Sequence, residues 1–195
     1  MNETKRNLLK DRAEHYSTLL RRRDALAASI LAGFPSLDEK TRVVLSAETR
    51  ILNGQSDAIV KIGRQLDPST GLLDALLWGW SADPLAVWTD GASAEIGLAL
   101  DSGLVLPATL TLQLTAFLGR YGRQAVRISQ NGVMVASAFF YDQSRTQHLK
   151  IRTSASPQPL IRLRFDVVEP SSPAELGWAA DARQLGVALD WISVG

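Results

Sequence analysis

The chain has 195 residues, of which 46% are hydrophobic and 21% charged, and its formal net charge is +1. This composition is typical of an ordinary globular protein. The absence of cysteine excludes disulfides and thiolate chemistry and favours a cytoplasmic location. The charged N-terminal residues predict no secretory signal, and the longest apolar stretches fall short of the roughly 20 residues that a membrane helix needs.

Charge is distributed unevenly along the chain. Residues 1–66 hold 12 basic and 8 acidic side chains, whereas residues 67–195 hold 9 basic and 12 acidic ones. The change coincides with residues 67–71, a run of Asp, Pro, Ser, Thr and Gly that is typical of turns. We therefore expect an N-terminal domain over 1–66, a linker over 67–76 and a second domain over 77–195. The positive excess of the first domain is too small to indicate nucleic-acid binding.

The first 66 residues have the hydrophobic spacing of helices. Apolar residues recur at intervals of three, four and seven over 9–31 and again over 44–62. Gly33-Phe34-Pro35 separates the two series, which predicts a helical hairpin of roughly 30 residues per arm. Two amphipathic helices cannot enclose a dry core alone. We therefore expect this hairpin to form a homo-oligomer or to contact a partner protein.

From residue 86 the apolar period changes to two. Polar and apolar residues alternate around Ile96, Leu112 and Phe165, which predicts strands with one buried and one wet face. Asn131-Gly132 is typical of a two-residue hairpin turn between strands over 123–130 and 133–141. Further strands are expected over 146–153 and 186–194. The fold is therefore predicted to be mainly β, an antiparallel, jelly-roll-like β-sandwich preceded by the helical hairpin.

No catalytic motif is recognisable in the chain. It has no glycine-rich nucleotide loop, no HExxH zinc motif and no nucleophile elbow. Its two histidines, His15 and His148, form no cluster of metal ligands. We therefore expect no catalytic residues, no metal and no cofactor, and predict that the protein is not an enzyme.

Four of the five tryptophans lie close to two short motifs that bracket the β-rich part. Flat indole faces suit the apolar faces of sugar rings, and flanking polar groups can then bind hydroxyls. Trp80 and Trp88 lie beside small polar residues, so we predict a sugar site formed by these two residues with Asp83, Thr89 and Asp90. The alternative, favoured for any single tryptophan, is that the ring fills one end of the core.

A second candidate surface consists of basic residues at outward strand positions, namely Arg127, Lys150, Arg152, Arg162 and Arg164. If their strands are neighbours, these side chains form a basic stripe on one face of a sheet, suited to an anionic polymer. The alternative is an ordinary solvated face paired with nearby carboxylates.

The closing motif contains a pattern that favours a structural role. Asp181 and Arg183 stand two residues apart, a spacing that predicts an ion pair or backbone hydrogen bonds that pin the last crossing loop, with Glu175 as a helper. The alternative is that these residues bind a ligand.

The motifs together resemble a known class of module. Gly79-Trp80-Ser81 followed by Trp88-Thr89, the Asn131-Gly132 turn, and the closing motif SPAELG…DARQLG over 172–186 are similar to those of non-catalytic β-sandwich modules. Modules of this class are found with bacterial glycosyltransferases and cell-surface polysaccharide biosynthesis proteins. The resemblance covers about residues 77–194. It departs at 83–85, where Asp-Pro-Leu stands in place of an expected Pro-Glu pair. It implies a polysaccharide setting and identifies no catalytic residue.

Two hypotheses follow. The first is a non-catalytic accessory protein of bacterial surface or exopolysaccharide biosynthesis, whose sandwich binds a glycan or docks onto a glycosyltransferase. The alternative is a purely structural protein–protein assembly module with no glycan ligand. A sugar site built on Trp80 and Trp88 would resist high salt, whereas binding to the basic stripe would not.

Overall fold

The computed structural model describes residues 39–53, 55–82, 86–101, 104, 106–154 and 160–195. Within these residues the helices are α1 (Glu39–Leu52), α2 (Leu72–Ala75) and a short 3-10 helix (Asp142–Ser144). The strands are β1 (Ile59–Val60), β2 (Gln65–Leu66), β3 (Leu76–Trp78), β4 (Trp80–Ala82), β5 (Val87–Asp90), β6 (Ser93–Leu100), β7 (Thr109–Ala116), β8 (Arg123–Gln130), β9 (Val133–Tyr141), β10 (Thr146–Arg152), β11 (Leu160–Val168) and β12 (Leu185–Val194). None of the described helices is long and apolar enough to cross a membrane.

The strands form two six-stranded sheets that share one core. Sheet A has the order β1-β6-β11-β8-β9, with β3 also paired to β6, and sheet B has the order β10-β7-β12-β5-β4, with β2 paired to β12. The eight strands from β5 to β12 follow the order of a jelly roll. The prediction of a mainly β protein with two packed sheets is confirmed.

Local sequence accounts for most of the strands. In β7 the burial alternates without a break, and Leu110, Leu112 and Leu114 are all fully buried. The turn between β8 and β9 has φ angles of 49° at Asn131 and 85° at Gly132, as the Asn-Gly pair predicts.

The predicted helical hairpin is not evident. Its first arm lies outside the described residues. The second arm agrees with α1 only as far as Leu52, and the predicted extension beyond it is wrong. Ile59–Val60 pairs in parallel with β6, and Gln65–Leu66 pairs with β12. Residues 59–66 therefore contribute strands to the two sheets. Val60 and Leu66 are buried in the shared core, whereas Ile62, which the helical spacing also included, is 75% exposed.

The stretch expected to be a linker, 67–76, is also packed. Leu72 and Ala75 of α2 are fully buried in the same core as the strands, and β3 begins at Leu76. The described residues on both sides of this stretch thus contribute to one hydrophobic core.

Helix α1 packs on the outer face of sheet A. Its Ala47 and Ile51 are buried, and Ile51 lies over Gly97 of β6. A Cβ at Gly97 would lie 3.4 Å from Ile51 Cδ1 and Leu160 Cδ1, which is ordinary van der Waals contact, so helix and sheet are closely packed here. The helix contacts β3 and β6, and no other described helix packs on the face formed by β8 and β9.

Candidate functional site

The two bracketing motifs lie against each other. The opening motif forms β4 and β5, and the closing motif forms the loop between β11 and β12. Arg183 Nη1 donates to Ser81 Oγ at 2.7 Å, and the Gln184 N–H donates to Asp90 Oδ1 at 3.0 Å. The Gly91 N–H in turn donates to the Gln184 carbonyl at 2.8 Å. These five residues form one structural joint, here called the motif joint.

Hydrogen-bonded carboxylates stiffen the closing loop. The predicted ion pair is confirmed: Arg183 Nη2 lies 2.6 Å from Asp181 Oδ2, and Nε donates to both carboxylate oxygens. Hydrogen bonds from Arg183 hold the pKa of Asp181 below its ordinary value. The Ser172 N–H donates to Glu175 Oε2 at 3.2 Å, and this bond is the main cause that lowers the pKa of Glu175.

Two residues of the predicted sugar site are engaged inside the protein. The Trp80 ring meets Phe165 edge-on at 5.3 Å between centroids, and its Nε1 donates to the Glu95 carbonyl at 2.8 Å. Thr89 is fully buried, and its Oγ1 accepts the Val187 N–H at 3.0 Å. Both side chains therefore have packing and hydrogen-bonding roles in the fold.

The other residues of that predicted site lie apart from Trp80. Trp88 is on the outer face of sheet B, where its ring meets Phe117, which in turn meets Trp178 at 5.6 Å. Asp90 is exposed, with Oδ1 held in the motif joint, and Asp83 lies outside the described residues. The structure thus divides the predicted set between the core and the face of sheet B. A ligand role for these residues stays a prediction.

The five basic residues do not form one stripe. Arg127, Arg162 and Arg164 lie on β8 and β11 of sheet A, whereas Lys150 and Arg152 lie on β10 of sheet B. The stripe required neighbouring strands, and β10 instead pairs with β7 in the other sheet. Any anion contacts would therefore occur on two opposite faces.

Two of these arginines have partners within the fold. Arg162 forms an ion pair with Glu48 of α1. Arg164 Nε lies 2.8 Å from Asp166 Oδ1, and its guanidinium is 5.8 Å from the centroid of the Trp78 ring. Arg127 is exposed and directly opposite Asp166 in the strand register.

A β-bulge organises the outer face of sheet B. The β12–β7 ladder shifts register between Leu189 and Trp191, so that Asp190 and Trp191 both reach β7. Asp190 Oδ2 accepts hydrogen bonds from Gln113 Nε2 at 3.1 Å and Thr115 Oγ1 at 2.7 Å. Gln113 Oε1 accepts the Trp191 Nε1–H at 2.9 Å. The polar groups here satisfy one another.

His148 belongs to this network on sheet B, with Nε2 2.8 Å from Gln113 Oε1. Lys150 and Arg152 continue the same exposed side of β10. Among the described residues, no group of three or more His, Asp or Glu side chains is placed to hold a metal ion.

The open end of sheet A contains a groove of about 270 Å³, here called the sheet A groove. Its floor is a row of three directly paired residues, Val168, Ala125 and Phe139, on neighbouring strands. The small side chain of Ala125 between two larger ones makes the surface concave. The next row pairs Arg123 with Tyr141.

The rings of the groove are unusually exposed. Phe139 and Tyr141 are 63% and 52% exposed, because the alternation along β9 turns Phe140 into the core between them. Arg123 and Glu169 supply charged groups at the rim. Apolar surface rimmed by polar groups is typical of a binding site.

A second cavity of about 470 Å³ opens at the adjoining end of the sandwich. Arg123 and Glu169 line both cavities, so the two adjoin at these residues. Arg120 and Tyr121 line the second cavity, and the Arg123 guanidinium is 5.9 Å from the Tyr121 ring centroid. We call this surface the end cavity.

The sequence-based predictions include neither cavity. They place a strand over 133–141, but the face of each residue in Phe139-Phe140-Tyr141 depends on the register with β8. One signal was available. Side chains alternate along a strand, so three consecutive aromatic residues place two rings on one face and one ring on the other. If one face is buried, at least one large ring is therefore exposed on the opposite face.

No family model matches the chain, and no curated protein matches it. Similar solved structures include an acetyl xylan esterase from the rumen bacterium Butyrivibrio proteoclasticus, with 12% identity and a TM-score of 0.44 over 68% of this chain and 32% of that one. An insecticidal delta-endotoxin from Bacillus thuringiensis has 16% identity and a TM-score of 0.43 over 71% and 25%. The CBM36-1 domain of a xylanase from the hindgut metagenome of Trinervitermes trinervoides has 10% identity and a TM-score of 0.38 over 68% and 95%. This chain thus spans about a third or less of the esterase and the toxin. With TM-scores below 0.5, these likenesses assign neither a ligand nor an activity.

Proposed function

We propose that the protein is a non-catalytic glycan-binding module and that sugar binds in the sheet A groove. The observation that carries the proposal is the exposure of Phe139 and Tyr141 side by side on β9, at the edge of a concave surface. Two residues apart on one face of a strand, these rings are about 7 Å from each other along β9.

The polar rim of the groove supports the same function. A sugar unit has an apolar C–H face that packs on an aromatic ring, and hydroxyls that both donate and accept hydrogen bonds. Arg123 offers N–H donors and Glu169 offers carboxylate acceptors. Neither charge takes part in an ion pair among the described residues, and the Arg123 guanidinium contacts only the face of the Tyr121 ring at the border of the end cavity.

The test is a binding titration of the full chain with a glycan panel, at low and high salt. Replacing Phe139 and Tyr141 together by alanine should weaken binding about tenfold or more at both salt concentrations, because ring contacts are not screened. Met134→Ala is the matched control, since Met134 lies on the same strand with 66% exposure outside the groove. Unchanged binding by the double variant, with circular dichroism showing that it folds, would refute a groove site.

The biological setting of the proposal comes from the bracketing motifs. Their resemblance supports a role in bacterial surface or exopolysaccharide biosynthesis, with the sandwich holding a polysaccharide or docking onto a glycosyltransferase. Crosslinking in cells, followed by identification of the captured glycosyltransferase, tests the docking part. A homo-oligomer formed through residues 1–66 and a cytoplasmic location stay predictions.

A second candidate function is protein–protein assembly without a glycan. The tip of the β8–β9 hairpin exposes Val133 by 68% and Met134 by 66%, and β9 is an edge strand of sheet A. An apolar edge strand can pair with a strand of another chain. Replacing both residues by lysine should then dissociate an oligomer in sedimentation velocity. A monomeric parent chain that binds glycan would reject this alternative.

A further inference from the structure

The sheet A groove and the end cavity meet at Glu169, and the backbone there is unusual. Glu169 directly follows β11 and has φ 53°, in the left-handed region that residues with a side chain rarely adopt. Glycine would adopt this conformation without strain. The turn itself therefore does not require a glutamate.

Glu169 lies where a ligand would cross from one cavity to the other. It lines both, as does Arg123, and among the described residues it makes no hydrogen bond or ion pair that would explain its identity. Exposed aromatic rings lie on either side of this junction. Tyr141 is on the groove side and Tyr121, 64% exposed, is on the side of the end cavity.

We propose that the two adjoining cavities together bind an extended glycan, which passes between Arg123 and Glu169 from the sheet A groove into the end cavity. At the crossing, the Glu169 carboxylate accepts hydrogen bonds from sugar hydroxyls. This inference rests on the proposed glycan-binding function. It adds that the ligand spans both cavities and that Glu169 contacts it where it crosses between them. The volumes of about 270 and 470 Å³ together fall within the range of roughly 300–1,000 Å³ that is typical of ligand pockets, whereas the sheet A groove alone lies at its lower limit.

The backbone of Glu169 gives this inference a second, independent consequence. Strained conformations persist at binding sites where the side chain is needed there. Replacing Glu169 by glycine should therefore raise the melting temperature while weakening the binding of a long ligand. A residue with no binding role would show only the gain in stability.

The experiment measures Kd by calorimetry for oligomers of two and six units, using β-1,4-linked glucose, xylose and uronic-acid series with the full chain. The six-unit oligomer of the preferred series should bind about tenfold more tightly than the two-unit one. Glu169→Gly should raise the melting temperature by a few degrees and remove most of that advantage. Glu169→Gln, which keeps one acceptor oxygen, should fall in between.

Asn131→Gly is the matched control. Asn131 also has a positive φ, 49°, but lies in the β8–β9 turn and lines neither cavity. This variant should leave both affinities unchanged. Equal affinity for the two lengths, or full six-unit affinity in Glu169→Gly, would overturn the inference. The groove proposal would survive that result if the Phe139 and Tyr141 variant still lost binding. A parent chain that binds no oligomer of the panel would overturn both.

Discussion

Arg183 donates a hydrogen bond from Nη1 to Ser81 Oγ at 2.7 Å, between residues 102 positions apart in the chain. Asp181 holds the guanidinium in place by accepting from Nε and Nη2. The Ser81 hydroxyl on β4 therefore accepts a hydrogen bond from a guanidinium whose orientation is already fixed by Asp181. The two motifs that stand out in the sequence are, in the structure, the two halves of the motif joint.

Arg183→Lys should weaken this joint. Lysine keeps the positive charge but cannot bind Asp181 with a planar fork and reach Ser81 at the same time. We expect a loss of about 1 kcal/mol in the free energy of unfolding. This is less than for a fully buried charged hydrogen bond, because the Arg183 side chain is 34% exposed and solvent screens the interaction. Urea denaturation measures it. Arg127→Lys, at an exposed position outside the joint, should have no measurable effect, and equal losses in both variants would contradict the role of the fork.

Thr89→Val should destabilise the protein although the two side chains have nearly the same shape and size. The Thr89 hydroxyl accepts the Val187 N–H where the β12–β5 register shifts between Leu185 and Ala188. Valine would leave this buried N–H without an acceptor, at a cost of about 1–3 kcal/mol. Thr89→Ser keeps the oxygen and should retain most of the stability lost in the valine variant. Denaturant titration of the two variants compares them directly, and a valine variant as stable as the parent would contradict the prediction.

Gly186→Ala should overpack the junction of the two sheets. An added Cβ would lie 2.2 Å from Val167 Cγ1 and 2.9 Å from Cγ2, so the backbone or Val167 must move. We expect a loss of about 1–3 kcal/mol. Val167→Ala removes both methyl groups and should recover part of that loss in the double variant. A double-mutant cycle in thermal unfolding gives the coupling energy, and simple additivity of the two losses would show that no overpacking occurs.

Acid should weaken the closing loop. Hydrogen bonds from Arg183 hold the pKa of Asp181 below its ordinary value, so the folded protein binds this proton less tightly than the unfolded chain does. The resulting stabilisation is present above the unfolded-state pKa of about 4 and disappears as pH falls through the lower folded-state value.

Asp181→Asn tests this expectation through melting temperatures between pH 7 and pH 2. The variant should be less stable than the parent at neutral pH and should show a shallower decline below about pH 4. Asp142→Asn, at an exposed aspartate outside the loop, controls for the general effect of removing a negative charge. Parallel profiles for the parent and Asp181→Asn would contradict the link between this carboxylate and acid stability.

The strands from β6 to β12 could be predicted because their signals are local. The alternation of apolar residues in β7 indicates which side chains are buried, and the Asn131-Gly132 pair indicates where the chain reverses direction. The segment after Leu52 could not be predicted in this way. Ala58 and Val60 are buried by pairing with the far end of β6, around Ala99, and a helical spacing of apolar residues says nothing about such a distant partner.

The candidate site was harder to predict for a related reason. In a strand of four residues such as β5, the sequence does not show whether the even-numbered or the odd-numbered residues face the core. Thr89 and Trp88 therefore look equally able to contact a ligand. The register with β12 decides that Thr89 is buried. Likewise, the five basic residues all occupy outward strand positions, but they do not lie in one sheet. The order of strands in space places β10 in sheet B and β11 in sheet A.

Strand β12 occupies the middle of sheet B, between β7 and β5, and also pairs with β2. Among the described strands, the β4–β5 and β7–β10 pairs are joined within this sheet through β12 alone. During synthesis, sheet B therefore stays in two unconnected halves until residues 185–194 have left the ribosome. The inner side chains of sheet A have no complete surface to cover them before that moment. Folding of the sandwich is therefore dominated by pairings between strands that are distant in the sequence, which makes it slow.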